Sequence, residues 1–114
     1  MTPDEYRRLA LSLPGTIESR HMNHADFRVG GRIFATIWKG NGVLMLKPEQ
    51  QANLVNSNPE VFSPATGGWG KKGSTTVHLD VADALSVRAG LLAAWRSKAP
   101  EELRPDRRHK ADEF

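Results

Sequence analysis

The sequence predicts an α+β domain, an antiparallel meander framed by helical segments. Three observations predict it. Apolar residues recur at helical spacing near both ends of the chain. Between Ala25 and Trp38 they alternate with polar residues at the two-residue period of a half-buried strand. Short glycine-bearing segments, Gly30-Gly31 and Lys39-Gly40-Asn41-Gly42, separate the alternating stretches and suit tight turns.

The first helix is announced by Thr2, Pro3 and Glu5. Threonine can cap, proline suits the first helical position, and glutamate three residues on completes a capping box. Tyr6, Leu9, Ala10 and Leu13 then form one apolar stripe, and Pro14-Gly15 stops the helix. Strands are expected over 25–29, 32–38 and 43–46. Whether Thr16–Met22 adds another is left open by the pattern. Lys47-Pro48-Glu49 opens a second helix with Ala52, Leu54 and Val55 as its apolar contacts. Residues 60–73 read as loops or a short bent strand, marked by Pro64, Gly67, Gly68, Gly70 and Gly73. Thr75, Val77 and Leu79 alternate as a further strand. Asp80 is the expected cap of a last helix carrying Val81, Leu85, Leu92 and Trp95; Gly90 either weakens it or marks a close contact.

With 114 residues, 39% hydrophobic and 25% charged, one packed domain is expected over 1–99 and a charged, mobile tail over 100–114. The absence of cysteine excludes disulfides, thiolate metal sites and thiol catalysis. No apolar run approaches the roughly 20 residues of a membrane span, and the acidic start Asp4-Glu5 is unlike a secretory leader. A cytoplasmic monomer without membrane contact is the expectation. A formal charge of +3 permits a polyanionic partner without requiring one.

Several motifs together resemble the MmcQ/YjbR family of small bacterial proteins. They are Leu11-Ser12-Leu13-Pro14-Gly15, the hairpin from His24 to Ala35, Phe62-Ser63-Pro64-Ala65, Trp69-Gly70-Lys71-Lys72-Gly73, and Thr75-Thr76-Val77-His78-Leu79-Asp80. The resemblance spans about Thr2 to Ala99. It implies a two-layer α+β fold of order α-β-β-β-α-β-β-α, helices packed on an antiparallel sheet, similar to secretion-chaperone-like folds. The additional strand would lie within residues 60–72. It also implies DNA binding through a "double wing", although fold alone does not fix function.

Candidate contacts follow from residue chemistry. In Trp69-Gly70-Lys71-Lys72-Gly73 the glycines admit close backbone approach, the lysines attract phosphate, and the indole offers a stacking face. The competing reading has Trp69 plugging the sheet edge and the lysines keeping a loop soluble. Arg28 and Arg32 flank Gly30-Gly31 and are expected on one polar face of that hairpin, as a wing. Lys39 and Asn41 would form a companion wing, with Lys47 close behind; a solvated sheet face is the alternative. His21, His24 and Asp26 have metal-binding residue types, but no third histidine or further carboxylate is placed to complete a site, and no metal or cofactor is expected. No nucleophile motif is present, so no enzymatic activity is expected. Trp38 is either packed or part of a binding surface. The reading is a non-enzymatic, weakly sequence-specific DNA-binding domain using Arg28, Arg32, Lys39, Lys47, Trp69, Lys71 and Lys72. Its rival is a protein- or peptide-interaction module anchored by Trp38 and Trp69.

Overall fold

The structure, a computed structural model, describes residues 1–103. The segment 104–114 of the expected tail lies outside the described residues. Helix α1 (Pro3–Leu11) begins with the anticipated capping box. Thr2 Oγ1 accepts the Glu5 N–H, and Glu5 Oε1 accepts the Thr2 N–H, both at 3.1 Å. Its stripe points inward, with Tyr6, Ala10 and Leu13 buried.

Four strands follow: β1 (Ile17–His21), β2 (His24–Val29), β3 (Arg32–Trp38) and β4 (Asn41–Met45). Two-residue turns join them. All six turn residues have positive φ: Met22 (50°), Asn23 (66°), Gly30 (58°), Gly31 (79°), Lys39 (51°) and Gly40 (81°). That pattern matches the right-handed twist of the flanking strands. The third turn is tighter than expected, because Asn41 and Gly42 already belong to β4.

Helix α2 (Pro48–Ser57) leads to β5 (Phe62–Pro64), the short helix α3 (Gly68–Lys71), β6 (Ser74–Val77) and helix α4 (Ala84–Lys98). The strands form one antiparallel sheet of order β1-β2-β3-β4-β6-β5. The α+β class and the strand sought within residues 60–72 are both present. The element order gains β1 and α3.

Alternation puts Phe27, Ala35, Leu44 and Thr75 on one face of the sheet, because each pairs with the next across the ladder. A bulge lies opposite Phe27/Arg28 and lets Phe34 and Ala35 both turn inward, which explains two consecutive buried residues. The helices pack on this face. Tyr6 donates its hydroxyl to the Val43 carbonyl at 3.2 Å, and its ring edges against Phe27. Burial raises the Tyr6 pKa. Gly90 of α4 sits where a Cβ would come within 2.8 Å of Leu44 Cδ1, so it marks a close contact. Trp95 Nε1–H donates to the Pro14 carbonyl at 2.9 Å, tying α4 to the end of the first helix.

Two expectations about the helices change. Asp83, not Asp80, caps α4, accepting the Ser86 N–H at 3.1 Å. Val81 and Leu85 are consequently exposed, and the buried stripe is Val87, Leu91, Ala94 and Trp95. Helix α2 buries no residue fully: Leu54 and Val55 pack half-buried against the core as expected, while Ala52 is exposed. Side-chain amides hold it as well: Gln50 Nε2 donates to Ala93 O, and Gln51 Nε2 to Gly70 O and Ser74 O.

Packing continues past residue 99. A Cβ on Gly30 would lie 2.9 Å from Pro100 Cδ, and one on Gly15 would lie 2.9 Å from Leu103 Cδ1. No helix among the described residues is long and apolar enough to cross a membrane.

Candidate nucleic-acid interface

Strand direction decides which candidate residues can meet. Arg32 begins β3, Lys47 follows β4 by two residues, and Lys72 precedes β6 by two. With neighbouring strands antiparallel, all three fall at one end of the sheet. The lysine segments are in direct contact: a Cβ on Gly73 would lie 2.0 Å from Leu46 O and 3.0 Å from Lys47 C. Lys39 and Asn41 lie at the other end, since successive turns of a meander alternate ends. The seven residues of β3 separate the two groups by roughly 20 Å at about 3.3 Å per residue. The proposed companion wings therefore point in opposite directions.

The Trp69 segment is rigidly seated. Residues 68–71 form α3 rather than an open loop. A Cβ on Gly70 would fall 1.9 Å from Ala65 O, and Gly67 and Gly73 adopt φ of +74° and +114°. Gly70 and Gly73 are thus required by the chain's own packing, and Gly67 by its backbone angle. Gln51 pins the segment from α2 through its bonds to Gly70 O and Ser74 O, both 2.9 Å. Trp69 does not plug the sheet edge; it is 71% exposed, and Lys71 and Lys72 beside it are exposed as well.

The Gly30-Gly31 hairpin departs from the expected wing. Arg32 pairs with Val29 and Arg28 with Ile33, so Arg28 and Arg32 project from opposite faces of the ribbon. Arg28 is also committed elsewhere. Its Nε donates to Asp26 Oδ1 at 2.8 Å and its Nη2 to Oδ2 at 3.1 Å. His21 Nδ1 lies 2.8 Å from the same Oδ2. The Asp26 side chain has 0% exposure. The Arg28 hydrogen bonds hold its pKa below the ordinary carboxylate range, aided by His21 and opposed by burial. The hairpin tip itself rests on Pro100 through Gly30. Arg28 therefore leaves the candidate interface, while exposed Arg32 stays at its border.

The opposite end of the sheet brings together residues that the sequence left apart. His24 and Trp38 stack with ring centroids 3.9 Å apart and planes at 49°. Lys39 Nζ sits 5.8 Å from the Trp38 ring, a cation–π distance. Trp38 is 46% exposed. The ring of His24 thus packs on the indole of Trp38.

One juxtaposition had no signal in the linear sequence. Ser63 Oγ lies 2.7 Å from His78 Nε2, because β5 pairs with β6. A serine–histidine pair is half of a nucleophile arrangement. Among the described residues no carboxylate joins it. Nor is any group of three or more His, Cys, Asp or Glu placed to hold a metal ion.

A small α+β domain with a helix-covered sheet and a basic, tryptophan-bearing end is thus defined. The YjbR family model matches residues 11–97, and the chain belongs to the YjbR family. No curated protein and no solved structure matches it.

Proposed function

We propose that this protein is a non-enzymatic DNA-binding domain whose contact surface is the sheet end carrying Arg32, Lys47, Trp69, Lys71 and Lys72. The observation that carries the reading is Trp69, 71% exposed and held on α3 beside lysines by packed glycines and Gln51. A solvent-facing indole on a fixed backbone has only its side-chain rotations to lose when it stacks on a base, and clustered ammonium groups release counterions from phosphates. Affinity is modest and salt-sensitive, because four cations contribute rather than a dense array. Base specificity is low, since no helix offers an Arg/Asn/Gln row to the major groove. Lys39 contributes little from the far end of the sheet.

The test is fluorescence anisotropy with a labelled duplex and a labelled single strand at low and physiological salt. Saturable binding that weakens steeply with salt supports the reading, and preference for the single strand assigns the larger share to Trp69. No binding at low salt overturns it.

A second reading, a protein- or peptide-interaction module, draws on the other end of the sheet. There Met22 is 85% exposed and Trp38 half-exposed on neighbouring turns. It requires a partner lost on Trp38→Ala and retained on Trp69→Ala.

A further inference from the structure

We propose that β1 is a self-complementary edge at which two copies of this chain join antiparallel, centred on Ser19, extending both sheets into one. The two edges of the sheet are unlike. β5 is three residues long and ends in Pro64, which has no N–H to offer, so that edge is blunted. β1 is five residues long and has neither proline nor a bulge against its neighbour.

The ladder fixes which groups face outward. His21 and His24 close a two-residue turn and so exchange hydrogen bonds. By alternation Ser19 bonds Asp26 and Ile17 bonds Arg28. The N–H and C=O groups of Glu18 and Arg20 therefore point away from β2, toward whatever lies beside the edge.

Three two-fold registers use those groups. Centring the pairing on Glu18 or on Arg20 sets like charges directly opposite each other. Centring it on Ser19 sets Glu18 of each copy opposite Arg20 of the other, as two hydrogen-bonded pairs. Opposite charges in facing positions stabilise a sheet and like charges destabilise it. The Ser19 register alone pairs both outward residues and sets opposite charges across the seam. It adds Arg20 of the second copy to a Glu18 that already bonds Arg7, and Glu18 of the second copy to an Arg20 that already donates to Asn23 O. It also lays Ile17, 67% exposed, across from His21 of the second copy. The seam is short, so the dimer is weak and forms as concentration rises.

The chain has no cysteine, which makes a direct test simple. In the Ser19 register the two Ser19 residues form a non-hydrogen-bonded pair with Cα atoms about 4.5 Å apart, inside the disulfide range. Ser19→Cys is oxidised mildly at high protein concentration beside Ser57→Cys, an exposed control on α2. Disulfide-linked dimer should exceed the control several-fold. Glu18→Arg/Ser19→Cys should lose that excess, as should Ser19→Cys/Arg20→Glu. A mixture of those two should regain it, because arginines at 18 and 20 then face glutamates. Each chain in the mixture is also measured alone, so poor folding of either cannot imitate the recovery. Equal yields from Ser19→Cys and Ser57→Cys, or a mixture no better than its components, would overturn the proposal.

Discussion

Arg28 clamps Asp26 with two hydrogen bonds, 2.8 and 3.1 Å, two residues apart on the same face of β2. A carboxylate with no exposed surface is thereby kept charged, and one of the most basic-looking positions in the chain serves the fold. Removing the arginine leaves a buried charge bonded by His21 alone, which costs more than removing both partners of the clamp. Arg28→Ala should lower the melting temperature clearly. Arg32→Ala, at an exposed position beside the tip, should leave it within about 2 °C. Asp26→Asn/Arg28→Gln should recover part of the loss. Thermal melts of the four proteins decide it.

The same carboxylate sets an acid limit. Its folded pKa is depressed, so the stability it contributes is fully present above its unfolded pKa of about 3.9 and is lost as pH falls through the folded value. Glu5 and Asp83, lowered chiefly by their capping bonds, act with the same sign. Denaturant midpoints of the wild type should fall below about pH 4, and those of Asp26→Asn should fall less steeply. Parallel curves for the two would remove Asp26 from the explanation.

Gly42 shows a packing constraint that resembles a turn signal in the sequence. A Cβ there would lie 2.5 Å from the buried Tyr6 ring. A rigid ring fixed by its bond to Val43 O cannot yield cheaply. Gly42→Ala should destabilise by about 1–3 kcal/mol, whereas Gly31→Ala meets no packing obstacle and pays only for its positive φ. Urea titration of both variants separates clash from backbone strain.

Thr16 Oγ1 is buried and has no hydrogen-bond partner among the described residues. An unpaired buried hydroxyl costs roughly 1–3 kcal/mol, which the isosteric valine avoids. Thr16→Val should therefore be neutral or stabilising by about 1 kcal/mol in the same titration.

Trp69→Ala should leave stability within about 0.5 kcal/mol, since the side chain is mostly in solvent. Its loss should weaken single-strand binding by roughly 5- to 100-fold, the range of one stacked base. Unchanged affinity would take the indole out of the contact surface.

The capping box, the meander and the α1 stripe were legible because each rests on local periodicity. β1 was not. Ile17-Glu18-Ser19-Arg20-His21 holds a single apolar residue, since an edge strand buries little and its alternation is faint. Its turn, Met22-Asn23, lacks the glycine that marks the other two. The sequence could name Trp69, Lys71 and Lys72 as neighbours in the chain. It could not show that Lys47 joins them, because that depends on Gly73 lying against the Leu46–Lys47 backbone. The Arg28–Arg32 pairing misled because same-face placement is decided by register, and Arg32 pairs with Val29. The His21–Asp26 pair looked metal-like for want of Arg28, which completes it as an ion-pair cluster.

The most direct measurement compares charge reversal at the two ends of the sheet. Lys71→Glu/Lys72→Glu and Lys39→Glu are titrated with the same labelled duplex across a salt series, with folding verified by circular dichroism. The double variant should lose affinity steeply and flatten the log–log salt slope by about two. Lys39→Glu should stay close to wild type. Equal losses from both ends, or a folded double variant that binds as the wild type does, would contradict an interface at the Trp69 end.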